Sequence, residues 1–170
     1  MTLQKRIACG TAASIMASLV MTSVGLLFSN PSAAAEDADL KRGQYLVQIG
    51  GCNDCHTAGY AEKAGNVPTD EWLTGSPVGF KGPWGTSYAA NLRLTLSSLT
   101  EDQWVTFARA PRRPPMPWFN LRDMSDNDLR AMYRFIRELG PKGQPAPLAA
   151  NPGVTVHTPV IVFEPQMQNK

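Results

Sequence analysis

Cys52 and Cys55 stand two residues apart, and His56 follows directly. Two thiols at that spacing can reach the two vinyl groups of one porphyrin and bind it through thioethers. The imidazole on the next residue then falls where a haem iron takes its proximal ligand. The expected cofactor is one covalent haem c with its iron, attached at Cys52 and Cys55 and ligated by His56. Three other chemistries use paired cysteines. Structural zinc needs four ligands, and outside the motif the chain offers only Cys9 and His157. A thioredoxin-like redox pair expects a strand before it and a helix after it; here a helical stretch precedes the motif, and Gly, Thr and Ala surround it. A plain structural disulfide is the third. Haem attachment gives each of the three residues a chemical reason.

The second axial ligand decides what such an iron can do. Met116, Met124, Met132 and Met167 follow the motif. Met132 falls on the apolar stripe of a helix, where packing explains it, and Met167 is near the end of the chain. Met124 directly precedes a helix cap. Met116 lies in Arg112-Arg113-Pro114-Pro115-Met116-Pro117-Trp118. The flanking prolines restrict the backbone, so less entropy is lost when the loop is fixed on a metal. Met116 is the expected distal ligand, with Met124 the runner-up and His157 third. A thioether is a soft donor that raises the potential. With both axial positions filled, electron transfer is favoured over chemistry on a small molecule.

The elements that must position these groups are mostly helical. Residues 38–50 read as a helix leading into the motif, with Tyr45 and Ile49 on one apolar face. Its Gly43 costs helix stability, offset by close approach of another helix. Residues 57–99 are rich in Gly and Pro and read as a long irregular segment. There Trp72, Phe80, Trp84 and Tyr88 are candidates to wall a flat cofactor. Residues 100–110 form a short helix with a Thr100/Gln103 capping box; Trp104 and Phe107 face inward. Residues 126–139 form the clearest helix, capped by Ser125. Leu129, Met132, Tyr133, Ile136 and Leu139 make its stripe, and Gly140 and Pro141 end it. Residues 141–170 carry Pro141, Pro145, Pro147, Pro152, Pro159 and Pro165. Residues 154–156 and 160–163 have strand character, but the prolines predict an extended arm packed on the body rather than a sheet.

The N-terminus has the layout of a secretory signal peptide. Lys5 and Arg6 precede an uncharged stretch from Ile7 to Phe28, and Ala33-Ala34-Ala35 offers a small-residue cleavage site. Cleavage is expected before Glu36, which places the protein in the periplasm; an uncleaved anchor is the alternative. The organisation expected is therefore a signal peptide at 1–35, one domain at 36–140 and the Pro-rich arm at 141–170. Lys5 and Arg6 leave with the leader and no acidic residue does, so the net charge of +2 falls to zero. That balance gives no support to nucleic-acid binding. A membrane is expected only through a partner or an uncleaved leader.

Taken together, Gly43-Gln44-Tyr45-Leu46, Cys52 to His56, Met116-Pro117-Trp118 and the capped helix from Ser125 to Leu139 resemble class I c-type cytochromes of the proteobacterial mono-haem type. The resemblance covers about residues 38–140. It implies an all-α class I cytochrome c fold, with three or more helices around one covalent haem, and the helix at 38–50 crossing that at 126–139 near Gly43. The long loop and the Pro-rich arm depart from the smallest members. The resemblance implies an exported electron carrier, not an enzyme, whose partners are redox proteins: a donor dehydrogenase, a terminal oxidase or a reductase. A dedicated cytochrome subunit of a periplasmic dehydrogenase is the first alternative. A haem sensor or enzyme with a displaceable ligand is the second. In relatives a backbone carbonyl, often of a proline, accepts the hydrogen bond of the proximal imidazole; Pro68, Pro77 and Pro83 are candidates. Tyr88 and Asn91 are candidates for the haem propionates. Arg109, Arg112 and Arg113 form a basic group near the ligand loop, suited either to steering an acidic partner or to a solvated surface.

Overall fold

The computed structural model describes residues 31–165 and 167. The expected signal peptide lies outside the described residues up to position 30, and residues 31–35 continue helically into the first helix. Among the described residues the chain forms six helices, one 3-10 turn and a three-stranded sheet. None of these helices is long and apolar enough to cross a membrane.

Two helices set the frame. Helix α1 spans Pro31–Ile49. It buries Gly43, Leu46 and Val47, the i, i+3, i+4 set of one helical face. The expectation for Tyr45 and Ile49 is corrected: they are 51% and 62% exposed, because the face that meets the partner helix is centred on Gly43. Helix α6 spans Asp126–Glu138, and its Ser125 cap accepts a hydrogen bond from Asp128 N. Leu129, Met132 and Ile136 are buried as the stripe predicts, and Ala131 and Phe135 join them. Tyr133 and Leu139 are only partly covered. The crossing falls at Gly43, where an added Cβ would lie 2.1 Å from the Ala131 carbonyl oxygen and 2.8 Å from Phe135 Cβ. Backbone meets backbone there, and only Gly fits.

Helix α4, Glu101–Ala108, starts in the reciprocal capping box expected of Thr100 and Gln103. Its Trp104 is buried and donates from Nε1 to the Leu129 carbonyl at 2.8 Å. That bond satisfies the indole N–H and ties α4 to α6.

The segment at 57–99 is more ordered than its composition suggests. The short helix α2 spans Cys52–His56, and a 3-10 turn covers Thr69–Glu71. Strands β1, Gly79–Gly82, and β2, Gly85–Tyr88, pair antiparallel. Helix α3, Leu92–Ser97, is capped by Asn91, and helix α5, Trp118–Asp123, follows the Met116 loop. The arm is corrected too. Strand β3, Val160–Val162, pairs parallel with β1, giving the order β2-β1-β3. Pro159 and Pro165 flank the strand rather than interrupt it, so its N–H groups are available for pairing. The fold is mostly helical, with a small sheet that the all-α expectation lacked.

Candidate functional site

Helix α2 carries the Cys-x-x-Cys-His run. Gly50 and Gly51 separate it from α1, and Gly51 has φ of 68°, a conformation natural to Gly. The run is then pinned to the segment at residues 73–75. His56 O accepts from Gly75 N at 2.8 Å. Thr57 Oγ1 accepts from Leu73 N at 2.8 Å and donates to Asn53 Oδ1 at 2.7 Å. Position and orientation of the motif are thus set by backbone contacts from outside it.

His56 is buried, and its Nδ1 donates to the Ala90 carbonyl at 2.7 Å. The acceptor is therefore Ala90, not Pro68, Pro77 or Pro83. Pro68 caps the 3-10 turn, and Pro83 lies in the turn between β1 and β2. The bond fixes the ring and leaves Nε2 as the nitrogen with a free lone pair. Burial pushes the imidazole pKa down, against the raising effect of the Ala90 bond, so the ring is held neutral, as a metal ligand must be. Burial also pushes the Cys52 thiol up to about 11. Cys55 is raised for the same reason, with a smaller contribution from the Asp54 charge.

Cys52, Cys55 and His56 open onto a cavity of about 410 Å³. Met116 lines the same cavity. Its other walls are largely apolar, with Trp104 and Phe107 from α4 and Met132 and Ile136 from α6. Met124 and His157 are not among the lining residues. Met124 packs against the core beside the end of α5, and His157 is exposed. A large apolar chamber with two thiols, a neutral imidazole and a thioether on its surface fits a flat apolar macrocycle with an iron at its centre.

The aromatic candidates divide. Phe80 and Tyr88 line the cavity. Trp72 is buried in the core and donates to the Val67 carbonyl at 2.9 Å. Trp84 bonds the Phe80 carbonyl and packs on Phe163. Trp104 and Phe107, read only as inward-facing, are cavity wall. The propionate candidates divide as well. Asn91 is buried, caps α3 with its oxygen, and donates from Nδ2 to the Lys142 and Gln144 carbonyls. Its hydrogen bonding is committed to the fold, so that expectation is withdrawn. Tyr88 lines the cavity while its hydroxyl pairs with Thr158 Oγ1 at 2.6 Å.

The basic group is not freely solvated. Arg109 pairs with Asp126 at 2.6 Å and bonds the Met124 carbonyl. Arg112 bonds the Phe107 carbonyl and lies 4.2 Å from the Phe107 ring centroid. Arg113 reaches the arm. A further residue had no signal in the sequence: Arg93 is buried and donates to the Leu139, Gly140 and Asp70 carbonyls. It satisfies the carbonyl end of α6.

The family model described as Cytochrome c matches residues 40–140, more than half of the chain. The chain belongs to the cytochrome c family. The cofactor of this cytochrome is haem c with its iron, and Cys52, Cys55 and His56 fit the family's attachment motif. The cytochrome is 32% identical over 124 residues to the gluconate 2-dehydrogenase cytochrome c subunit of Pantoea cypripedii, covering 65% of this chain and 28% of that one. It is 31% identical over 129 residues to the cytochrome c subunit of a quinone alcohol dehydrogenase from Gluconobacter oxydans, covering 66% and 25%. A nicotinate dehydrogenase subunit from Pseudomonas putida is 27% identical over 122 residues, covering 65% and 9%. The cytochrome therefore spans little more than a quarter, or less, of the length of these relatives. No solved structure matches it.

Proposed function

We propose that this cytochrome is an exported mono-haem electron carrier that passes single electrons between redox proteins in the periplasm, and that His56 and Met116 would hold its iron. Haem c, when bound, supplies the one-electron ferrous–ferric couple. The chain's own residues hold and tune it. Cys52 and Cys55 attach it, and Ala90 orients His56 through Nδ1. The apolar walls exclude water, and Met116 biases the couple toward the reduced state. The observation that carries the reading is that one cavity brings together Cys52, Cys55, His56 and Met116, while Met124 and His157 do not line it.

Within this reading the partner is a dehydrogenase, and the chain serves it as a dedicated cytochrome component. The support is that two relatives above 30% identity are named as cytochrome c subunits of dehydrogenases. Copurification of a larger dehydrogenase with the native protein is the expected result; a protein recovered alone from gentle extracts counts against a permanent complex. Carbon monoxide separates a carrier from a sensor or haem enzyme. The reduced native protein at neutral pH is expected to leave it unbound. Ready binding would mean an open or displaceable position and would remove the carrier reading.

A further inference from the structure

We propose that the C-terminal arm is part of the site: through Arg113 it clamps the Met116 loop across the cavity, which makes Arg113 and Ser87 positioning residues for the distal ligand. The inference rests on Met116 being that ligand. Three segments far apart in sequence meet beside the loop, and each holds the other two through adjacent residues. Thr86 and Ala150 exchange backbone hydrogen bonds, both 2.9 Å. Ser87, the next residue of β2, donates to the Pro114 carbonyl at 2.5 Å. Arg113, next to Pro114, donates to the Ala150 carbonyl at 2.9 Å and to Asn151 Oδ1 at 2.8 Å. The triangle is closed.

The packing at this junction is as tight as the helix crossing. A Cβ on Gly85, whose φ is +93°, would lie 2.2 Å from the Ala150 carbonyl oxygen. The arm stays engaged beyond it, through Tyr88 with Thr158 and through β3 on β1. All three segments also line the cavity: Ser87 from β2, Arg113 and Met116 from the loop, Pro147 and Ala149 from the arm. The arm thus closes part of the chamber and fixes the backbone two residues before Met116. Prolines on either side limit how the loop bends; the junction limits where it sits. A ligand held from outside its own loop leaves the metal less readily, because the detached state must also break those hydrogen bonds.

The test uses the full-length holoprotein and carbon monoxide. Native protein, Arg113→Ala, Ser87→Ala, the double variant and Arg113→Lys are compared, with Ser125→Ala as a remote control of reduced stability. Carbon monoxide binding to the reduced protein is followed beside the ferric sulfur-to-iron absorption band and the thermal midpoint. Arg113→Ala is expected to bind carbon monoxide under conditions where native protein leaves it unbound, an affinity gain of about tenfold or more. The double variant should gain less than the product of the two singles, since both hold one loop. Arg113→Lys should recover part of the loss, and Ser125→Ala should bind no more than native. Binding by Arg113→Ala equal to native, or an equal gain in Ser125→Ala, overturns the clamp. A native protein that lacks the sulfur-to-iron band fails the underlying ligand assignment instead, which no Arg113 variant can produce.

Discussion

The α1–α6 crossing and the rim of the cavity are built by different means. At the crossing, two long helices bury a continuous apolar surface, and one Gly lets their backbones touch. The rim is made of a hairpin, a proline loop and an arm, held by particular hydrogen bonds such as Ser87 to Pro114 and Arg113 to Ala150. Packing energy is spread over many contacts and answers to volume. A tether answers to one donor and one acceptor. The crossing should therefore govern whether the protein folds, and the rim should govern how firmly the iron's distal position is held.

Substitutions ranked by expected effect on stability sharpen that division. Gly43→Leu should be the most damaging, at about 3 kcal/mol or more, because its side chain meets backbone that cannot retreat. Denaturant unfolding of the holoprotein checks it, and a near-native midpoint would mean the helices do not meet as described. Arg93→Ala should cost roughly 2 kcal/mol by leaving the Leu139 and Gly140 carbonyls, just past the end of α6, short of donors, with no change in the haem spectrum. Ser125→Ala, which removes the cap of α6, should cost about 1 kcal/mol and likewise leave the spectrum alone.

The smallest effect is a surface pair. Arg42 bonds Asp128 at 2.9 Å and, with Ser125, holds its carboxyl below the usual carboxylate range. A depressed folded pKa contributes stability above the unfolded value of about 3.9, and the contribution fades as pH falls through the folded value. Arg42→Ala should therefore be slightly less stable than native at neutral pH and indistinguishable from it in strong acid. A difference that grows toward acid pH would reverse the sign.

The same division explains what the sequence made legible. Caps at Thr100 and Ser125 and the stripe from Leu129 to Ile136 are local patterns, and each appears where its spacing places it. The rim is non-local. Val160–Val162 has the composition of a strand, but nothing near it names a parallel partner 81 residues upstream. The acceptor for His56 is a backbone oxygen of an alanine, which carries no signature. Arg93 sits in a run of leucine and threonine at the end of a segment read as irregular, and nothing local marks it as buried until the end of α6 is seen beside it. Tyr45 and Ile49 stand four apart and do share a face, but spacing alone does not say which face is buried; the close approach at Gly43 does.

The central proposal is that His56 and Met116 hold the iron. The most direct test is the sulfur-to-iron absorption band at the red end of the ferric spectrum, in the native protein and in Met116→Ala and Met124→Ala. A band is expected in the native protein, with its loss in Met116→Ala and its survival in Met124→Ala. A band that survives Met116→Ala, or vanishes only in Met124→Ala, would contradict the proposal.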